Sequence, residues 1–227
     1  MNGTVVNANG RADADIVVEG ERIVSVLPRA GGGAQPGPDD AVIDASGCFV
    51  VPGGVDAHVH MQLDTGTMTS SDTFETGTIA AAHGGTTTII DFAEQRQGGN
   101  VLASFEQRMA EAESQCVVDW ALHQVLGGVN EQALVDARSL IEREGVASIK
   151  LFMAYPGVFY SDDGQILRAM QQASNNGSTI MMHAENGIAI DVLVQQHIAR
   201  GETDPKYHSY SRPSLLEGEA TSRAIVL

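Results

Sequence analysis

Apolar residues along this chain follow two rhythms, and the change comes near residue 50. Before it they fall in short runs broken by turns. Thr4-Val5-Val6 leads into Asn7-Ala8-Asn9-Gly10, Asp15-Ile16-Val17-Val18 into Glu19-Gly20-Glu21-Arg22, and Ile23-Val24-Ser25-Val26 follows. Runs of β-formers punctuated by Asn and Gly predict strands joined by tight turns. The stretch Gly31–Pro38 predicts a loop, because nothing in it can pack a core. Val42-Ile43-Asp44-Ala45 predicts one more short strand. Residues 1–50 therefore read as a small β unit that cannot bury two faces alone.

After residue 50, apolar strands alternate with amphipathic helices. Strands are predicted over Phe49–Val55, Thr86–Phe92, Val117–Val125, Ser148–Tyr155 and Thr179–His183, with starts 37, 31, 31 and 31 residues apart. A βαβ unit needs about that length, roughly 30 residues. Between the strands, Leu102, Phe105, Met109 and Ala112 share one helical face, as do Leu134, Ala137 and Ile141, and then Ile166, Met170 and Ala173. Asp72 with Glu75 predicts a capping box at the first helix, and Gly145 and Gly177 predict helix stops. Apolar strands at a steady spacing predict a parallel sheet, buried on both faces and wrapped by helices. Such a sheet is either doubly wound or a barrel. Gly53-Gly54 and Gly84-Gly85 carry no dinucleotide fingerprint. His58, His60, Lys150, Tyr155, His183 and Glu185 all fall on or just after predicted strands, which is the layout of a barrel active site.

Composition narrows the partners. Of the 227 residues, 29 are acidic and 13 basic, for a net charge of -16. That field repels nucleic acid and anionic membranes. Hydrophobic residues at 43% and charged residues at 19% are an ordinary globular balance. No run reaches the roughly 18 apolar residues of a membrane span, and Met1-Asn2-Gly3-Thr4 shows no leader pattern. Cys48 and Cys116 suggest no disulfide framework. These features together predict a cytoplasmic protein.

The candidate chemistry starts at Val50-Val51-Pro52-Gly53-Gly54-Val55-Asp56-Ala57-His58-Val59-His60. On a strand, His58 and His60 share a face and could bind one metal, or they could be two solvated histidines. Lys150 is the unusual residue, a cation in the apolar run Ala147–Met153. Buried, its amine becomes nucleophilic, able to form a Schiff base or to take up carbon dioxide as a bridging carbamate. At a strand end it could simply snorkel to water. His183 closes the next strand as either ligand or packed core histidine, and Tyr155 stands at a strand exit. His83 and His197 read as helix surface or packing residues, His123 as a structural strand residue, and His208 as a loop residue.

Together these stretches resemble the cyclic amidohydrolases, and within them the dihydropyrimidinase/D-hydantoinase group. The likeness is carried by Val51–His60, by Gly84-Gly85-Thr86-Thr87-Thr88-Ile89-Ile90-Asp91-Phe92, by Ser148–Tyr155, by His183-Ala184-Glu185-Asn186-Gly187 and by Glu217–Ile225, in that order. It implies an α/β fold: a (β/α)8 TIM-type barrel, with about five of its eight strands in residues 51–227, and a small β-sandwich begun by residues 1–50. It implies two divalent metals, usually zinc, with His58 and His60 on one, His183 on the other, and Lys150 as N6-carboxylysine, formed with carbon dioxide, bridging both. A metal-bridging hydroxide would open cyclic amides such as dihydropyrimidines and hydantoins to N-carbamoyl amino acids. Tyr155 would bind the substrate and stabilise the oxyanion. The whole protein is expected to be a homotetramer. A further histidine and an aspartate of the family pattern have no match here, so the chain is expected to be part of a protein roughly twice as long, with the barrel's remaining strands outside it, and inactive alone. The loop Met61–Met68 departs from the common family version and leaves the substrate side chain open. An allantoinase-type ureide hydrolase and a non-catalytic scaffold relative are the alternatives.

Overall fold

The computed structural model describes all 227 residues, Met1–Leu227. The chain divides into two compact units, Met1–Gly54 and Val55–Leu227.

The first unit is one four-stranded sheet in the order β3-β2-β1-β4, formed by β1 (Thr4–Asn7), β2 (Gly10–Glu19), β3 (Arg22–Pro28) and β4 (Phe49–Val50). Asn7 pairs with Gly10 and Glu19 with Arg22, so both predicted turns close hairpins. The expected strand over Val42–Ala45 does not form. Its backbone is tied to Met1 at Ile43 and Ala45 but runs no ladder. Buried Asp15 accepts from the backbone N–H groups of Asn2 and Ala34, at 2.8 and 2.9 Å, and this fastens the N-terminus and the glycine-rich loop to β2.

The second unit is a five-stranded sheet in the order β5-β6-β7-β8-β9, from β5 (Gly54–Asp56), β6 (Thr86–Gln95), β7 (Asp119–Leu126), β8 (Ser148–Phe152) and β9 (Thr179–His183). The pairs β6–β7, β7–β8 and β8–β9 are all parallel, which makes a curled half-barrel. The run expected as one strand, Phe49–Val55, is split. Pro52 has no N–H to give a ladder, and on either side of it Phe49–Val50 joins β1 while Gly54–Asp56 joins the larger sheet. Burial on both faces holds for the central strands. The outermost, β5 and β9, keep exposed positions because each lacks a neighbour on one side.

Helices α1 (Phe74–His83), α2 (Val101–Ala112), α3 (Glu131–Glu144) and α4 (Asp163–Asn176) link successive strands. α5 (Gly187–Ala199), α6 (Lys206–Tyr210) and α7 (Ser214–Val226) follow β9. Their ends are set by side chains: Asn100, Asn130, Asp162 and Asn186 each accept the N–H of the residue three positions on. The cap of α1 is not the expected Asp72–Glu75 pair. Thr73 and Thr76 cap each other reciprocally, since the helix begins one residue later, at Phe74. Gly145 and Gly177 end α3 and α4 in left-handed conformation. The predicted faces enter the core: Phe105, Leu134, Ala137 and Ile166 pack against Leu122, Ile149 and Leu151. Each such large side chain contributes about 1.5–3 kcal/mol on burial. No helix is long and apolar enough to cross a membrane.

Candidate metal centre

Alternation along β8 explains where Lys150 points. Ile149 and Leu151, 3% and 0% exposed, enter the helix-side core, which turns Lys150 and Phe152 to the other face of the sheet. Register carries that face to the neighbours. Phe152 pairs with His183 of β9, and Phe92 of β6 with His123 of β7. Of these, Lys150, Phe152, His183 and Phe92 open onto a cavity of about 510 Å³ that also receives His58, His60 and Tyr155.

His58 and His60 are not on a strand, as the spacing predicted. β5 ends at Asp56, and the two histidines lie just beyond the ladder. Phe92 brings them together. Its ring centroid is 4.7 Å from that of His58 and 4.6 Å from that of His60, and the two imidazole centroids are 5.4 Å apart. Burial lowers the pKa of both, and the Lys150 charge adds to this. Both rings are therefore held toward the neutral form that a metal requires.

Lys150 is 9% exposed. Its Nζ lies 5.9 Å from the centre of the Phe92 ring and 5.4 Å from that of Phe152. Burial pushes its pKa down, and no carboxylate offsets the effect. It does not snorkel from the strand end. His183 stacks on Phe152 as well, at 5.4 Å, and its Nε2 lies 2.6 Å from Glu185 Oε2. Lys150 thus stands between the ring that carries the His58–His60 pair and the ring that carries His183.

Tyr155 lies three residues past the end of β8, with a left-handed φ of 58°. Its carbonyl accepts the N–H groups of Val158, Phe159 and Tyr160, and this turn holds the phenol 5.2 Å from the His183 ring. Burial and Glu185 raise the hydroxyl's pKa, against a smaller opposing effect of Arg212, so it stays a donor.

No three His, Cys, Asp or Glu side chains gather closely enough to form a metal site by themselves. The convergence is instead three histidines around an unpaired buried amine. That donor set fits two metals only if Lys150 becomes an anion, and burial favours the neutral amine from which such a change would start.

The other histidines separate as expected, with one exception. His123 is structural: Nε2 bonds the Ala57 carbonyl at 2.9 Å and Nδ1 bonds the Ser148 hydroxyl. His197 pairs with Glu202 at 2.7 Å. His208 lies in α6, not in a loop. Sequence reasoning singled out the loop Met61–Met68, whose Leu63, Asp64 and Thr65 line this wall, but missed the aromatic residues Phe92, Phe152 and Phe159. That loop folds on itself through an Asp64–Thr69 bridge and is held by Arg96, which donates to the Asp64 carbonyl at 2.7 Å.

Comparison with known proteins gives one consistent answer. Residues 49–219 match the profile of the amidohydrolase family. A D-hydantoinase of Streptomyces coelicolor is 53% identical over 99% of this chain and 48% of its own length. A D-hydantoinase of Geobacillus stearothermophilus is 41% identical over 100% of this chain and 47% of its own length. The crystal structure of dihydropyrimidinase from Brevibacillus agri superposes with a TM-score of 0.94 at 39% identity, over 99% of this chain and 48% of that one. The chain spans about half the length of these relatives.

Proposed function

Since the chain belongs to the amidohydrolase family, we propose that the protein carrying it is a metal-dependent hydrolase that opens cyclic amides, dihydropyrimidines and hydantoins, to N-carbamoyl amino acids. The observation that carries this reading is the placement of Lys150, an unpaired buried amine, between the His58–His60 pair and His183 in one cavity. Likeness to D-hydantoinases and a dihydropyrimidinase supports the substrate class.

His58 and His60 would hold one divalent metal and His183 the other, with Lys150 bridging them as a carbamate. Zinc suits a site of imidazole and oxygen donors. When bound, the metals would supply an acidified water and polarise the scissile carbonyl. The protein's own part is derived from its residues. Burial lowers the pKa of Lys150 and so favours its neutral amine; that nitrogen attacks carbon dioxide, forms the N–C bond and loses one proton to solvent. The Tyr155 hydroxyl, kept protonated, donates to the oxyanion that develops as the carbonyl is attacked. Phe92, Phe152 and Phe159 line the cavity and exclude water from the ring of the substrate. The same reading places the protein in the cytoplasm as a homotetramer; Cys48 and Cys116 are both free thiols, in keeping with a reducing compartment.

The test is metal analysis of the whole protein with hydrolysis of dihydrouracil, hydantoin and allantoin, and Lys150→Ala alongside. About two metal ions per chain are expected, with turnover of the first two substrates and loss of both metals and turnover in the variant. Unchanged activity in Lys150→Ala would rule out the carbamate. Preference for allantoin would move the substrate to a ureide, and absence of metal would favour a scaffold.

A further inference from the structure

Asp91 is a charged side chain on a buried apolar strand, and the chemistry proposed above does not use it. Its carboxylate is 1% exposed. Oδ1 accepts from Arg108 twice, from Nε at 2.9 Å and from Nη2 at 2.7 Å, and Oδ2 accepts the backbone N–H of Met61 at 2.7 Å. Arg108 Nη2 also donates to the Met61 carbonyl. The ion pair therefore holds both backbone polar groups of one residue, and that residue directly follows His60.

The His58–Met61 segment needs such a hold. It lies beyond the end of β5, so no strand ladder fixes it. The Val59 N–H reaches the Ile90 carbonyl at 3.3 Å, the His60 carbonyl accepts the Ser70 hydroxyl at 3.5 Å, and at Met61 both the N–H and the carbonyl are held. Arg108 is itself fixed on α2. Its guanidinium lies 4.5 Å over the Phe74 ring, and Nη1 donates to Glu111 at 2.8 Å. Stability alone does not account for the pair, because replacing a buried ion pair with apolar groups is often neutral or better. Its geometry accounts for it: a carboxylate takes an N–H that no strand offers to take, and a planar fork reaches the carboxylate and a carbonyl at once.

We propose that Asp91 and Arg108 are positioning residues that clamp Met61 and so fix His60 in the geometry of a ligand to the first metal. Phe92 sets the plane of the His60 ring from the same strand, and the Asp91–Arg108 pair sets the backbone from which that ring departs. This inference rests on the metal-dependent reading above.

The experiment measures zinc affinity of the whole protein by competition with a chromophoric chelator. Asp91→Asn and Arg108→Lys are compared with Phe105→Leu, a core change on the same helix that leaves Met61 untouched, and thermal melting of the metal-free forms checks the fold. Both clamp variants should bind zinc about 10- to 100-fold more weakly, the range for groups that orient a metal ligand, while Phe105→Leu keeps parental affinity. Parental zinc affinity in folded clamp variants overturns the inference and leaves the metal-dependent reading standing. Equal weakening in Phe105→Leu also overturns it, by showing a general effect of lost stability. Should Asp91→Asn not fold, Arg108→Lys decides. If the unsubstituted protein binds no zinc, the underlying reading fails and this one with it.

Discussion

Phe92 lies flat against His60, with ring centroids 4.6 Å apart and planes 15° from parallel. The same ring meets His58 at 4.7 Å and His123 at 4.8 Å, and Lys150 Nζ stands over it. One side chain from β6, next to the edge strand β5, is thus the platform for two candidate ligands and a neighbour of the third. Phe92 is 2% exposed, so Phe92→Ala should cost about 3–5 kcal/mol in urea unfolding. Metal content should fall even in temperature and buffer conditions where the variant is folded. A folded Phe92→Ala protein that retains parental zinc would reduce the ring to a core residue.

Lys150 carries a stability penalty whose pH dependence has a definite sign. Its folded pKa lies below the ordinary 10.5 because burial disfavours the charge. The unfolded chain therefore binds the proton more readily. The penalty is full below the folded pKa and fades as pH rises through it to the unfolded value. Lys150→Met keeps the length and removes the amine, and should stabilise the metal-free protein at pH 7 by about 1–3 kcal/mol in carbon dioxide-free buffer. The gain should shrink toward pH 10.5. A variant less stable than the parent at neutral pH would show that the amine has a partner in the metal-free protein.

Tyr155 separates backbone strain from chemistry. Its φ of 58° is a conformation that costs a non-glycine residue about 1–2 kcal/mol. Tyr155→Gly should therefore be more stable than Tyr155→Ala by about 1 kcal/mol, although both lose the same phenol. Tyr155→Phe keeps the ring and should leave stability and metal content unchanged while kcat falls by about 10²–10³. Loss of metal in Tyr155→Phe would argue against an oxyanion role. An Ala variant as stable as the Gly variant would show that the turn relaxes.

The repeat of strands was legible because burial imposes it: a strand shielded on both faces must be apolar for its whole length, and the helix between strands needs a fixed number of residues. Lys150 was legible as a violation of that rule. Asp91 violates it too, inside Ile89-Ile90-Asp91-Phe92, yet its meaning depends on Arg108, 17 residues away, and on a backbone group 30 residues before it. Residue order alone does not disclose such a meeting. The division of Phe49–Val55 was hidden for a similar reason, since both pieces are good strands and only their partners differ. The His58 and His60 rings do come within 5.4 Å of each other, but on chain beyond the strand expected to carry them, and Phe92 does what strand geometry was expected to do.

Gly187 controls the spacing between the two strand exits that bear the site. A Cβ there would stand 2.6 Å from Ala154 Cα and 2.8 Å from the Met153 carbonyl oxygen, both backbone atoms. The Gly187 N–H donates to that carbonyl at 3.0 Å, and the Met153 N–H donates to the His183 carbonyl at 2.9 Å. Met153 and Ala154 connect the end of β8, the strand of Lys150, to Tyr155, and His183 lies four residues before Gly187, so an added methyl must push one candidate ligand strand from the other. Gly187→Ala should destabilise by about 1–3 kcal/mol and lower kcat of the whole protein, with the Tyr155 hydroxyl displaced from His183. Gly218 is the control. It lies inside α7 with no atom within 4 Å of an added Cβ, and Gly218→Ala should stabilise by about 0.5–1 kcal/mol without touching turnover. Opposite signs in thermal melts of the two variants are the expected result. A Gly187→Ala protein that melts and turns over like the parent would mean that the β8 and β9 exits separate freely, and that the geometry around Lys150 is not set at this contact.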